Sequence, residues 1–245
     1  MTLGLGGGPV LAEIHPAAEQ VRPLLPGMSV PIFEVLDFKG EKINVEAAKL
    51  NKAVVLTFYR GGWCPYCNMH LAELRTAEAE LRELGFDVWF ISPDKPELLA
   101  EGDHSDYGYT LLSDPKMNAA QAFGIAFRIN DEDYQQYVGF GLDLNDRSGD
   151  DHQALPAPAS FIVGEDGKVQ FSYVNPDYTV RLAPEVLLAA ARTALGAVGR
   201  RFESCHPDQV SLRSDAASRQ GALRARVRST RFNAPVAQAD RASAF

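Results

Sequence analysis

Val54-Val55-Leu56-Thr57-Phe58-Tyr59-Arg60-Gly61-Gly62-Trp63-Cys64-Pro65-Tyr66-Cys67 is the stretch around which the rest of the chain is read. Residues 54–59 form a short apolar run rich in β-branched and aromatic side chains, the pattern of a strand buried on both faces. Arg60-Gly61-Gly62 breaks that run. From Asn68 the period changes, and Leu71, Leu74, Leu81 and Leu84 fall on one helical face. The two cysteines therefore stand where a strand hands over to a helix, with Cys64 at the helix N-terminus.

That position has chemical consequences. The first N–H groups of a helix lack intrahelical partners and carry partial positive charge. A thiolate at Cys64 can accept from them, which pulls its pKa below the free-thiol value of ~8.5. Arg60 adds a fixed positive charge four residues upstream. One helical turn brings Cys67 alongside Cys64, so an attacking Cys64 has a second thiol within reach. A redox site is the first expectation.

Composition narrows the class. The chain has 245 residues, 46% of them hydrophobic, enough for a substantial core without disulfide staples. Its net charge of −8 argues against nucleic acid as the main partner. Three cysteines are too few for a secreted disulfide framework. The N-terminus has no basic segment, its apolar run is broken by Gly4, Gly6, Gly7 and Gly8, and no apolar stretch reaches transmembrane length. The expectation is a cytoplasmic enzyme that binds no membrane, with its Cys-x-x-Cys catalytic or metal-binding rather than structural.

Taken in order, residues 1–26 read as a flexible lead-in with one helical candidate at 17–25. Ile32, Val35 and Phe38, then Ile43 and Val45, predict a hairpin turning at Lys39-Gly40-Glu41. After the catalytic turn, the helix from Pro65 is expected to stop at Gly85. Residues 87–91 form a buried strand ended by Ser92-Pro93. A short helix at 96–101, a strand at 109–112, and a helix capped by Ser113-Asp114-Pro115 and running to Phe123 come next. The acidic segment 129–155 reads as an insertion packed on the surface, its aspartates too widely spaced for a calcium loop. A hairpin follows, with strands at 160–163 and 169–174 around Glu165-Asp166-Gly167-Lys168. A closing helix spans 184–195. A right-handed βαβ unit followed by an antiparallel hairpin and helix is the thioredoxin-like order: an α/β fold with a central mixed sheet flanked by helices. The domain proper is expected at 27–199.

Residues 200–245 differ in kind. Nine arginines against four acids give this tail a net charge of +5, leaving −13 for the remainder. Its apolar periodicity is weak, the signature of disorder. A basic tail is one reading. The other, which we favour, is read-through past the true stop, because residues 201–207 and 235–245 resemble conceptual translations of transfer-RNA genes.

FYRGGWCPYCNMHLAEL (58–74), SDPKMNAAQAFGI (113–125) and PAPASFIVGEDGKVQFSYVNPDYTVRL (156–182) resemble the alkyl hydroperoxide reductase/thiol-specific antioxidant branch of the peroxiredoxins, over about residues 31–195. The resemblance implies a thioredoxin fold, reduction of hydrogen peroxide or organic hydroperoxides at a peroxidatic Cys64, and electrons from thioredoxin or a similar dithiol protein. No metal or organic cofactor is implied. The chain departs from the family pattern in three places. Thr57 stands where a proline is usual, and Gly61 where a threonine contacts the peroxide. Pro158 stands where an arginine is usual, and it resembles the cis-proline that thioredoxins hold opposite their Cys-x-x-Cys. Arg60 is the candidate to replace the missing guanidinium.

Alternatives stand beside this reading. Cys64-Pro65-Tyr66-Cys67 is also a dithiol spelling of glutaredoxins, so thiol–disulfide exchange on protein disulfides is a second reading. A redox or zinc-dependent interaction module is a third, for which Cys205, His206 and His70 would have to supply ligands. Trp63 beside the nucleophile shields the thiolate, offers a face to a partner, or simply packs. Tyr59 reads as a core aromatic and His70 as solvent-facing. Oligomeric state is not specified by any of these features.

Overall fold

A computed structural model of the chain describes residues 13–100 and 108–197. The basic tail, Cys205, His206 and the first twelve residues lie outside the described residues. Nine strands and six α-helices are present among those described. In chain order they are β1 (Phe33–Leu36), β2 (Lys42–Val45), β3 (Val54–Phe58), α1 (Pro65–Glu83), β4 (Asp87–Ser92), α2 (Pro96–Leu99), β5 (Thr110–Ser113), α3 (Asn118–Ala122), β6 (Ala126–Arg128), α4 (Asp131–Gly139), α5 (Leu144–Ser148), β7 (Ala154–Pro156), β8 (Ala159–Val163), β9 (Val169–Val174) and α6 (Pro184–Ala197).

The main sheet runs β2-β1-β5-β4-β3-β8-β9. β3, β4 and β5 are parallel, while β8 pairs antiparallel with β3 and the two edge hairpins close antiparallel. β3 is central, and all five of its residues are buried. Its alternation divides the interior. Val54, Leu56 and Phe58 face one core with Phe123 and Phe161; Val55 and, beyond the strand, Tyr59 face another with Leu74, Leu81 and Leu187. A strand covered on both faces shows continuous rather than alternating apolarity, which is why residues 54–59 read as they do. The thioredoxin-like α/β architecture with a central mixed sheet stands as expected.

Helix α1 ends as its sequence indicates. The N–H of Phe86 donates to the Leu81 carbonyl at 3.0 Å and that of Gly85 to the Arg82 carbonyl at 2.9 Å, the paired bonds of a Schellman stop. Asp114, fully buried, caps α3 by accepting from the N–H groups of Ala119 and Ala120 at 3.0 and 2.8 Å. No helix among the described residues is long and apolar enough to cross a membrane.

One expectation is corrected here. The described part of the lead-in, from residue 13, is not loose and contains only a 3₁₀ turn, Ala18–Gln20. It is pinned along residues 123–128: His15 N–H donates to the Ala126 carbonyl, Arg22 N–H to that of Gly124, and Leu24 N–H to that of Phe123. Gly124 is required there, since a Cβ would stand 2.1 Å from the Arg22 carbonyl oxygen. The acidic segment 129–155 packs on the rest of the fold as an insertion. Its ends close as a small two-stranded sheet, β6 with β7. Ile129, Tyr134, Leu144 and Leu155 form a cluster that packs on Trp63.

Candidate active site

The catalytic turn starts where β3 leaves the sheet. Cys64 is the N-cap of α1 and Pro65 its first residue, with a preset φ suited to that place. The Cys64 N–H donates to the Gly61 carbonyl at 3.2 Å, and the Cys64 carbonyl accepts from Asn68 N–H at 3.0 Å. Asn68 returns its side-chain amide to the Gly62 carbonyl at 2.9 Å. The Gly62 N–H donates to Asp94 Oδ2 at 2.7 Å, and Asp94 Oδ1 accepts from Arg147 Nε at 2.8 Å. Asp94, 2% exposed, therefore joins the catalytic turn to α5 of the insertion.

Both cysteines are free thiols and both are buried. They polarise each other. The Cys67 thiol donates its hydrogen bond to Cys64 and holds the Cys64 pKa well below the ordinary thiol range; burial opposes this, and the Cys67 N–H, Arg60 and Arg181 reinforce it. Cys67 is driven the other way, chiefly because it keeps the proton it donates and then by burial. Of the two, Cys64 is the thiol whose ionisation the surroundings favour and Cys67 the one they oppose. Cys67 Sγ also faces two donors, the Arg60 N–H and Arg181 Nη2, each at 3.4 Å.

Arg60 lies next to the two thiols. Its guanidinium carbon lies 4.2 Å from the Tyr178 ring centroid, 5.2 Å from Trp63 and 5.7 Å from Tyr137. Nη2 donates to the Tyr137 hydroxyl. Arg60 is only 3% exposed, and its Nε has no hydrogen-bond partner. Trp63 stacks at a tilt on Tyr137, with ring centroids 5.7 Å apart, so it roofs the site together with the insertion. Tyr66 meets Tyr178 edge-on at 5.7 Å. Tyr59 is a core aromatic, and burial pushes its hydroxyl pKa up.

Pro158 is brought close but not in the form expected. It is buried, one residue beyond the Phe58–Ala159 pair that ends the β3–β8 ladder, hence level with the start of the catalytic turn. Its carbonyl accepts from Asn175 N–H at 3.1 Å. No peptide bond among the described residues is cis, so the cis-proline expectation is overturned. The strand register, not an unusual peptide bond, sets its level against the end of β3.

His70 is also corrected. It is buried rather than solvent-facing, and Nε2 lies 3.0 Å from the Leu182 carbonyl oxygen. Because α1 and α6 pack on the same face of the sheet, that side of α1 is covered. With His70 committed to Leu182, no group of three or more His, Cys, Asp or Glu side chains suited to hold a metal ion is found among the described residues.

Arg181, Asp94 and Tyr137 were not singled out from sequence. Arg181 lies 114 residues beyond Cys67, and Tyr137 77 beyond Arg60. The signal available was indirect: Arg181 is the penultimate residue of the motif 156–182, and two tyrosines, Tyr134 and Tyr137, stand in a helix that opens on three acids. Gly61 explains its own departure from the family pattern. At φ +135° a Cβ would lie 2.4 Å from Trp63 Nε1 and 2.9 Å from Asp94 Oδ2, so a threonine is excluded by this packing of the turn.

Comparison with known proteins agrees with this geometry. The AhpC/TSA family model matches residues 26–172. The chain is 33% identical over 106 residues to peroxiredoxin Bcp of Escherichia coli K12, covering 43% of this chain and 67% of that one. Among solved structures, peroxidoxin BcpB of Mycobacterium tuberculosis superposes with a TM-score of 0.53 at 21% identity, over 72% of this chain and 99% of that one. A mutant peroxiredoxin 6 of Arenicola marina gives 0.57 at 17% identity, over 72% and 76%. These two likenesses carry the fold. With a strand-to-helix dithiol, a lowered Cys64 and a family match over more than half its length, the chain belongs to the AhpC/TSA family and is a peroxiredoxin-like thiol peroxidase of the thioredoxin superfamily.

Proposed function

We propose that Cys64 is the peroxidatic residue and Cys67 the resolving one, with thioredoxin or another dithiol protein of the cytoplasm restoring the pair. The observation that carries this reading is the opposed polarisation of two adjacent thiols, Cys64 lowered and Cys67 raised. The Cys64 thiolate attacks the distal oxygen of a hydroperoxide, the O–O bond breaks, and the leaving oxygen departs as an alcohol or water after taking a proton. Sulfur is oxidised to the sulfenic acid. The Cys67 thiol then displaces hydroxide from that sulfur, giving the Cys64–Cys67 disulfide and water. Arg60 and Arg181 enter no ion pair among the described residues, and each carries a buried donor nitrogen with no hydrogen-bond partner among them; they stabilise the charge that develops on oxygen. Trp63 shields the reacting sulfur and Pro158 lines the entry to the turn.

One further feature supports the reduction half-reaction. An external thiolate that attacks Cys64 in the disulfide expels Cys67 as a thiolate, and the Arg60 N–H and Arg181 Nη2 already face that sulfur. The same feature favours a second reading, exchange with protein disulfides. Stopped-flow tryptophan fluorescence separates the two. Reduced protein mixed with hydrogen peroxide is expected to give a fast phase that vanishes in Cys64→Ser, and Cys67→Ser is expected to accumulate a sulfenic acid trapped by dimedone. Equal sluggishness of parent and Cys64→Ser toward peroxide, beside rapid turnover of a disulfide substrate, selects the second reading.

A further inference from the structure

We infer that Tyr137, carried by the insertion, is a positioning residue that fixes Arg60 at the Cys64 site. Among the described residues, its hydroxyl is the only hydrogen-bond partner of the Arg60 guanidinium, accepting from Nη2. None of the ion pairs among those residues includes Arg60. The choice of partner matters. A carboxylate in this place would orient the guanidinium and neutralise it. A phenol orients it and leaves the charge whole. The faces of Trp63, Tyr137 and Tyr178 act in the same sense, since aromatic quadrupoles hold a cation without cancelling it. The result is a buried positive charge beside Cys64 that no carboxylate among the described residues pairs with, with one end of the fork tied and Nε free to donate.

The insertion is built to hold Tyr137 still. Asn130 caps α4 by accepting from Asp133 N–H at 2.8 Å. Tyr134, one helical turn before Val138 on the same helix, is buried and donates to Asp143 Oδ1 at 2.8 Å, linking α4 to the cap of α5. Arg147 of α5 then reaches Asp94, which grips Gly62 in the catalytic turn. The segment thus reaches the turn twice, from Arg147 by way of Asp94 to Gly62 and from Tyr137 directly to Arg60. This gives the polar excursion a role in the reaction.

The test removes only the hydroxyl. Tyr137→Phe keeps the ring against Trp63 and Arg60. It is expected to raise the midpoint of the Cys64 thiolate titration, read by ultraviolet absorbance against Cys64→Ser. Above that midpoint it should slow oxidation by hydrogen peroxide roughly tenfold, the size of one lost oriented hydrogen bond. In an Arg60→Met background the same change is expected to add nothing to either readout. Arg60→Lys serves as a second background if Arg60→Met does not fold. A Tyr137→Phe protein that titrates and reacts like its parent overturns the inference, as does an equal penalty with Arg60 already removed. The rate arm rests on the peroxidase reading. The titration needs no peroxide, so a protein that titrates as expected yet consumes no peroxide refutes that reading while Tyr137 keeps its role toward Arg60.

Discussion

His70 Nε2 and the Leu182 carbonyl oxygen stand 3.0 Å apart, tying the second turn of α1 to the residue that follows Arg181. A carbonyl only accepts, so Nε2 carries the proton and the imidazole is the neutral Nε2–H tautomer. Through this bond the helix that presents Cys67 also positions the loop whose guanidinium points at the Cys67 sulfur.

The first prediction concerns acid stability. Burial, against a smaller opposing effect of the Leu182 carbonyl, takes His70 down to about 4. The unfolded chain binds that proton from its ordinary value of ~6.5, and the folded protein does so only near 4. Stability is therefore lost as pH falls through this window, at no more than about 1.4 kcal/mol per pH unit, and levels off below it. Asp114, raised to about 7 by burial, acts in the opposite sense. Comparison with His70→Gln isolates the histidine: urea midpoints measured from about pH 7 to about pH 4 are expected to fall less steeply in the variant. Equal slopes would reject the assignment.

The second concerns the thiolate. Cys64 is lowered by the Cys67 thiol first and by Arg60 and Arg181 in addition, so it is ionised where an ordinary thiol is protonated. Peroxide oxidation and alkylation by iodoacetamide are both expected to decline on the acid side, with a midpoint below ~8.5. Cys67→Ala removes the main cause and should move that midpoint upward. A midpoint at the ordinary thiol value in the parent would contradict the polarisation described.

A third rests on the Asp94–Arg147 bridge. Asp94→Ala leaves the Gly62 N–H and the Arg147 guanidinium without their shared acceptor, and is expected to cost about 2–4 kcal/mol in denaturant unfolding. Arg147→Met should cost less, since Asp94 then keeps its Gly62 bond. A larger loss for Arg147→Met than for Asp94→Ala would show that the bridge does not work through the catalytic turn.

The fourth takes up the family threonine. Gly61→Thr places a β-branched side chain at φ +135° and drives its Cβ into Trp63 and Asp94. We expect a loss of at least about 1–3 kcal/mol of stability and a slower, not faster, reaction with peroxide. A thermal melt and one stopped-flow trace decide it.

What the sequence determined by itself is local. The run 54–59, the glycine break and the change of period fixed a strand, a turn and a helix with Cys64 at the cap and Cys67 one turn on, because those relations span few residues and follow from backbone geometry. The hairpins and the helix stop at Gly85 were legible for the same reason. Pro158 precedes β8, whose apolar pattern was legible, yet its peptide bond is trans, and nothing in the local sequence sets that.

Only the tertiary structure decided what surrounds the sulfur. Asp94 reaches Gly62 across 32 residues, Tyr137 reaches Arg60 across 77 and Arg181 reaches Cys67 across 114. His70 looked exposed because a histidine three residues from Cys67 carries no mark of the helix that will cover it. The segment 129–155 read only as an insertion packed on the surface because its charges dominate its composition, whereas its few apolar residues and its two tyrosines, Tyr134 and Tyr137, are what meet Trp63. Such contacts depend on how helices and insertions pack across the sheet. That packing is a property of the whole folded chain, and no short-range periodicity records it.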